Sequence, residues 1–141
     1  MPQSITPLQI LNDGYRNATL KIDGYVNAID YTNYVVLDPS TLSQIDAQGT
    51  IPSKVRIKRI NFDIEDGIQV DLIWDGATPT SLWRLTGRGE IKAGPFGGIT
   101  DNAVTPTGKI LLTTIGGATT TINTSFTIIL EIIKDLSLIH I

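Results

Sequence analysis

The sequence predicts an all-β fold, an antiparallel β-sandwich of jelly-roll type with an irregular N-terminal arm. Along most of the 141-residue chain, apolar and polar residues alternate with the period of two that is typical of half-buried strands. Only 18% of the residues are charged, so we expect Thr, Asn and Ser to cover the exposed faces. Turn residues separate about eight such segments, and this pattern favours two packed sheets over one closed barrel.

The chain divides into three predicted parts: an N-terminal arm at residues 1–14, a sandwich domain at residues 15–135 and a short tail at residues 136–141. The arm contains two prolines and shows no sustained alternation. The tail sequence LSLIHI resembles the translation of a sequencing-adapter fragment, so a native tail and a gene-model artefact are both open. Apolar side chains of the arm are expected to contact a partner, namely Ile5, Leu8, Ile10 and Leu11.

The first strands of the domain are predicted at residues 18–29 and 34–37, where apolar and polar residues alternate. The second strand stops before Pro39, because proline has no N–H to donate to a ladder. A long connection at residues 38–53 follows, and we expect a single helical turn within it at residues 40–42.

The strongest pattern predicts a long β-hairpin at residues 54–76, KVRIKRINFDIEDGIQVDLIWDG. We expect strands at residues 55–65 and 68–75, joined by a tight turn at Asp66-Gly67. The apolar positions change phase at Lys58–Arg59, which predicts a β-bulge there. One face of the hairpin should be buried, with the side chains of Phe62, Ile64, Val70, Leu72 and Trp74.

The remaining strands are predicted at residues 81–86, 90–92, 109–115 and 120–133. Gly116-Gly117 is expected to close a hairpin between the last two strands. In the final strand, one apolar face includes Ile122, Phe126, Ile128, Leu130 and Ile132. Ile129 and Ile133 make the opposite face apolar as well, so we expect both faces to be covered, as at an intersubunit surface.

Charge and composition restrict the possible partners. The net charge is −3, from 11 basic and 14 acidic residues. This balance weighs against nucleic acid as a partner, because proteins that bind it usually carry a basic excess to replace phosphate counterions. The chain has no cysteine, which excludes disulfides and thiolate zinc sites. No run of about 18 apolar residues is present, so the sequence predicts no membrane span.

No arrangement typical of catalysis is present, so we expect no enzyme activity, cofactor, metal site or small-molecule substrate. The single histidine, His140, is the penultimate residue, where packed neighbours rarely hold an imidazole in place. A glycosidase needs two carboxyl groups that face each other across a cleft. The predicted hairpin contains a cluster of carboxylates, Asp63, Glu65, Asp66, Asp71 and Asp75, and all of them except Asp66, which is in the turn, should instead lie on its polar face.

A basic cluster, a glycine-rich segment and two tryptophans are the remaining candidates for binding. The glycines on either side of Arg88 lack the third glycine and the strand-to-helix context of a phosphate loop. Trp74 is in phase with the predicted core, whereas Trp83 is a candidate for an exposed aromatic contact. Two interpretations remain open for the basic cluster, a solvated strand face or a salt-bridged contact with an acidic partner surface. Its members are Lys54, Arg56, Lys58 and Arg59.

Four segments resemble small virion proteins of tailed bacteriophages, in particular capsid decoration (cement) proteins: YVVLDPSTL (34–42), VRIKRINFDIEDGIQVDLIWDG (55–76), GGITDNA (97–103) and TGKILLTT (107–114). The resemblance covers roughly residues 30–134 and includes no catalytic residue. It implies a structural protein that is made in the host bacterial cytoplasm and binds the major capsid protein on the capsid exterior. It further implies association with itself, with a trimer as the expected form, and added contacts that resist internal pressure.

Two other classes remain open beside the decoration protein. A tail or fibre-associated protein would have the same composition, and only its place in the particle would distinguish it. A carbohydrate-binding β-sandwich module would need exposed aromatic rings around a groove, so an exposed Trp83 beside another ring would favour it.

Overall fold

The computed structural model describes residues 3–14, 17–42 and 54–135, and within these ranges it leaves undescribed the side chains of residues 3–9, 54, 96 and 135. Three short 3-10 helices lie between the strands, at Pro39–Thr41, Gly94–Phe96 and Gly117–Thr119. The strands within the described ranges are β1 (Gln3–Asp13), β2 (Asn17–Val26), β3 (Tyr34–Leu37), β4 (Lys54–Ile64), β5 (Gln69–Thr78), β6 (Thr80–Leu85), β7 (Arg88–Lys92), β8 (Val104–Ile115) and β9 (Thr124–Asp135).

The strands form two antiparallel sheets, a five-stranded sheet in the order β1-β2-β9-β4-β7 and a four-stranded sheet in the order β3-β8-β5-β6. Strand β2 pairs with β9, β3 with β8, β4 with β7 and β5 with β6. This nested pairing is that of an antiparallel ribbon rolled into two sheets, which is the jelly-roll arrangement. The predicted all-β sandwich is therefore confirmed, and β1 adds a ninth strand at one edge of the roll.

The core lies between the inner faces of the two sheets. Strand β2 shows its origin, because alternate residues from Ala18 to Val26 are buried and those between them are partly exposed. On the facing sheet, Leu72 and Trp74 of β5 are almost wholly buried. The inward-facing residues of the two sheets thus form an apolar core, and the residues that alternate with them face solvent on the outer sides.

Both predicted hairpins are wrong, although the turns themselves are present. Strand β4 pairs with β7 and β9, whereas β5 pairs with β6 and β8, so the turn at Asp66-Gly67 crosses from one sheet to the other. The connection at Gly116-Gly117 likewise joins β8 of one sheet to β9 of the other. A tight turn fixes the reversal of the chain. It leaves open whether the second strand lies beside the first or faces it across the core.

Other details of the predicted hairpin are confirmed. A register shift between Ile57 and Arg59 is the expected β-bulge. Four of the five predicted core residues are buried, namely Ile64, Val70, Leu72 and Trp74. Phe62 is only partly buried, because its register partner on the edge strand β7 is Gly89, which has no side chain to cover it.

The N-terminal arm is not irregular. Residues 3–13 form β1, which pairs antiparallel with β2 from Gln3 opposite Val26 to Asp13 opposite Ala18. Register shifts between Thr6 and Gln9, and between Ile10 and Asn12, interrupt the ladder. These irregularities disturb the alternation that would have indicated a strand, and Pro7 lies within the first of them.

Four connections meet at one end of the sandwich, which we call the loop end: residues 27–33, 65–68, 86–87 and 116–123. Each of them crosses between the two sheets. The amide of Ile64 donates to the carbonyl of Gly87 at 2.6 Å, and the amide of Glu65 donates to that of Ser125 at 3.1 Å. The connection 86–87 is therefore bonded to the end of β4, and the connection 65–68 is bonded to the start of β9.

Candidate interaction surfaces

The predicted arm contacts lie on the edge strand β1. The side chains of Ile10 and Leu11 are almost half exposed there, whereas those of Ile5 and Leu8 lie outside the described residues. Strand β1 also contacts β3, the edge strand of the other sheet, so these two strands form one lateral side of the sandwich. The exposed apolar residues of this side place it among the candidate surfaces.

A buried ion pair that the sequence analysis missed attaches β1 to the roll. The side chain of Lys134 is completely buried, contacts the carboxylate of Asp13 and donates to the carbonyl of Gly14 at 2.5 Å. A lysine in the last strand gives no sign of this role, because its partner lies 121 positions earlier in the chain. The pair closes the end of the sandwich opposite the loop end.

Ile129 and Ile133 lie on the outer face of β9, at the centre of the five-stranded sheet, and both are partly exposed. Their neighbours across the sheet are polar: Ile129 lies between Lys21 and Asn61, and Ile133 lies between Asn17 and Arg56. A depression of about 360 Å³ lies beside Ile129, and its other lining residues are Asn61, Phe62, Asp63, Arg88, Gly89 and Thr127. The outer face therefore has two isoleucines within a polar surround.

Trp83 is 42% exposed on β6, at the other lateral side of the sandwich from β1 and β3. The aromatic pair formed by Tyr31 and Tyr34, with ring centroids 5.4 Å apart, lies near the β3 edge of the same sheet. Burial, and then the neighbouring Tyr34 and Tyr25, raise the pKa of Tyr31 above its usual value. The structure therefore distributes the predicted contact residues over separate surfaces and does not bring them together.

Three carboxylates of the predicted hairpin, those of Asp63, Asp71 and Asp75, lie on two different sheets and contact polar or basic groups. Asp63 lies 3.5 Å from Arg88 on the five-stranded sheet. On the four-stranded sheet, Asp71 accepts a hydrogen bond from Gln69 at 2.7 Å, and Asp75 accepts one from Thr107 at 2.8 Å. Among the described residues, no group of three or more acidic or histidine side chains is arranged to hold a metal ion.

Three members of the basic cluster, Arg56, Lys58 and Arg59, lie on the outer face of β4, and Arg59 forms ion pairs within the chain, whereas the side chain of Lys54 is not described. Arg59 contacts Glu131 and lies 3.2 Å from Glu90, which is also 3.7 Å from Lys92. Arg56 donates to the carbonyl of Gly97 at 2.6 Å. A depression of about 310 Å³, which we call the basic depression, is lined by Lys58, Arg59, Lys92, Gly94, Pro95 and Glu131.

The loop end carries exposed isoleucines that the sequence did not predict as contact residues. Ile29 lies in the connection after β2, Ile115 ends β8 with half of its surface exposed, and Ile122 is 68% exposed just before β9. The prediction that Ile122 belongs to the buried face of the last strand is wrong, because that strand begins only at Thr124. These residues make the loop end a further candidate surface.

Hydrogen bonds to Asp30 hold two connections of the loop end together. Its carboxylate accepts from the hydroxyl of Thr114 at 2.7 Å, from the amide of Gly117 at 2.7 Å and from that of Ala118 at 3.2 Å. The amide of Ala28 donates to the hydroxyl of Thr120 at 3.0 Å. The isoleucines of this end therefore stand on connections that are bonded to each other.

No protein-family model matches the chain, and no curated protein or solved structure is significantly similar to it. Within the described residues, no helix is long and apolar enough to cross a membrane.

Proposed function

We propose that this protein is a structural virion protein of a tailed bacteriophage, and that it binds the assembled capsid as a decoration protein and stabilises the shell. In this proposal it acts on the capsid exterior as a homo-oligomer, with a trimer as the expected form. The major capsid protein is its other partner, and it has no catalytic activity.

The observation that supports this proposal most directly is the nested pairing of β2 to β9, an arrangement used by viral capsid domains, as well as by lectin domains and cupins. The segment resemblance given by residues 34–42 and 55–76 points in the same direction. The carboxylates of Asp63, Asp71 and Asp75 contact polar or basic groups within the fold, and this fits the part of the proposal that assigns the protein no catalytic activity. A lattice of many copies can bind strongly through individually weak contacts, so a small domain without a deep cleft suits this role.

The test is binding of the purified protein to shells of its phage. We expect it to co-sediment with mature capsids and to bind them more strongly than unexpanded ones, because expansion creates new surface sites. Shells that lack the protein should rupture at a lower temperature than complete shells. Location in the tail alone would overturn the decoration role and keep the virion assignment; absence from every particle would overturn both.

A carbohydrate-binding module is a second candidate because Trp83 is exposed on an edge strand, although the aromatic pair of Tyr31 and Tyr34 lies near the opposite edge of the same sheet. A sugar ring stacks on such an aromatic face, and the contact is lost when the ring is removed. Binding to a glycan array by the wild type, and loss of that binding in Trp83→Ala, would favour this function. Capsid binding that is unchanged in Trp83→Ala would favour decoration.

A further inference from the structure

The loop end is acidic. Its four connections, residues 27–33, 65–68, 86–87 and 116–123, contain three carboxylates and no lysine, arginine or histidine. The carboxylates are those of Asp30, Glu65 and Asp66, of which the last two belong to exposed residues. The nearest cation of β7, Arg88, is matched by Asp63 at 3.5 Å. Acidic groups and exposed isoleucines thus share one surface.

Two connections of the loop end are also held together by hydrogen bonds. Asp30 accepts three hydrogen bonds, two of them from amides of the connection 116–123. Ala28 has a positive φ of 62°, a conformation that costs a residue with a side chain about 1 kcal/mol or more, and it directly precedes the exposed Ile29. Apolar anchors that are already fixed lose little conformational entropy on binding.

The basic depression offers the opposite surface. Arg59 forms ion pairs with Glu131 and Glu90, and Lys92 lies 3.7 Å from Glu90, so the three cations Lys58, Arg59 and Lys92 outnumber the two carboxylates and a positive charge remains. Lys58 and Lys92 are exposed. The depression is concave, with a volume of about 310 Å³, whereas the loop end carries protruding side chains.

We propose that copies of this protein associate head to tail, with the acidic loop end of one copy bound at the basic depression of the next. The inference rests on the homo-oligomer of the proposed function and specifies its interface. The two surfaces cannot meet within one copy, because Lys58 and Ile64 lie six positions apart on the same strand, about 20 Å. A contact between two different surfaces closes into a ring when its rotation allows, so it suits a trimer.

Reciprocal charge reversal tests the interface. We expect Glu65→Lys/Asp66→Lys and Lys58→Glu/Lys92→Glu each to weaken self-association about tenfold or more, measured by sedimentation velocity, because like charges would face each other. Combining the four substitutions restores opposite charges and should recover association. Association of either double variant as tight as that of the wild type, or no recovery in the combined variant, would overturn the inference.

The apolar part of the contact has a matched control. Ile122→Ser should weaken self-association, whereas Val104→Ser should not, because Val104 is 59% exposed at the opposite end of the sandwich. Circular dichroism spectra would establish that all variants fold. A wild type that is monomeric at every concentration, or an Ile122→Ser variant that loses only capsid binding, would also overturn the inference. Capsid co-sedimentation tests the proposed function separately. A monomer that binds shells would contradict the head-to-tail interface and support the decoration function. An oligomer found in no particle would contradict the decoration function.

Discussion

Asp30 shows, at the scale of single residues, how much of this surface depends on one side chain. Its carboxylate joins the connection after β2 to the connection after β8, 87 positions away. No motif surrounds Asp30 in the sequence, and an Asp between strands has many ordinary uses in turns. The hydrogen bonds to Thr114 and Gly117 form only after the roll brings distant segments together, so the sequence alone could not reveal them.

We expect Asp30→Ala to lower the free energy of unfolding by about 2–4 kcal/mol, because it leaves two buried or partly buried donors without their acceptor. Urea unfolding monitored by tryptophan fluorescence would measure this. Asp38→Ala is the control: Asp38 caps an exposed 3-10 turn through Ser40, and its loss should cost about 1 kcal/mol. Equal effects of the two substitutions would contradict the role given to Asp30.

Leu72 and Phe62 make a second comparison at this scale. Leu72 is completely buried, so Leu72→Ala should cost about 3–5 kcal/mol through the cavity that it leaves. Phe62 is partly exposed beside Gly89, so Phe62→Ala should cost less than about 2 kcal/mol. Chemical denaturation of both variants tests the difference. A larger loss for Phe62→Ala would show that its ring is part of the closed core.

At the scale of elements, the sequence predicts where strands lie better than it predicts their partners. The predicted strand at residues 34–37 coincides with β3, and the predicted strand at residues 18–29 overlaps β2. Alternation indicates which face of a strand is buried. The alternation in β4 and β5 is the same whether the two strands pair within one sheet or face each other across the core. The turn at Asp66-Gly67 is compatible with either arrangement, so pairing is decided by the rest of the roll.

We expect the attachment of β1 to the roll to depend on the ion pair between Asp13 and Lys134, and measurements of stability can test this. Asp13→Ala removes the carboxylate partner of the buried Lys134, and we expect a loss of about 3 kcal/mol in the free energy of unfolding. Adding Lys134→Met to that variant removes the buried charge and should recover part of the loss. If Asp13→Ala and the double variant are equally stable, the buried ammonium is not the cause. By the same reasoning, deletion of residues 1–13 is expected to lower the thermal midpoint.

At the scale of the whole molecule, exposure of the candidate residues depends on the roll. Trp83, the candidate for an exposed aromatic contact, is exposed, and so are Ile115 and Ile122, which the sequence predicts to lie in strands. Their exposure follows from the positions at which β8 ends and β9 begins. The pairing of strands that are distant in the sequence determines these positions. A surface formed by four separate connections has no counterpart in any single segment of sequence.

The nested pairing also predicts slow folding. The central pair β2 and β9 joins Asn17 to Ile133, so the sheet cannot form before both ends of the chain meet. Proteins dominated by such non-local pairing refold in milliseconds to seconds, and we expect about this range in stopped-flow refolding from urea. Complete refolding within microseconds would contradict the expectation.

Because β2 and β9 are adjacent, the strands of the roll can be connected in a different sequence order by circular permutation. Since Asn17 is opposite Ile133, the first and last strands of the roll begin and end side by side. A short peptide could join them, and the chain could be opened instead at the Asp66-Gly67 turn, where the strands on either side belong to different sheets. Such a circular permutant would keep every strand pair of the roll while moving its termini to the loop end.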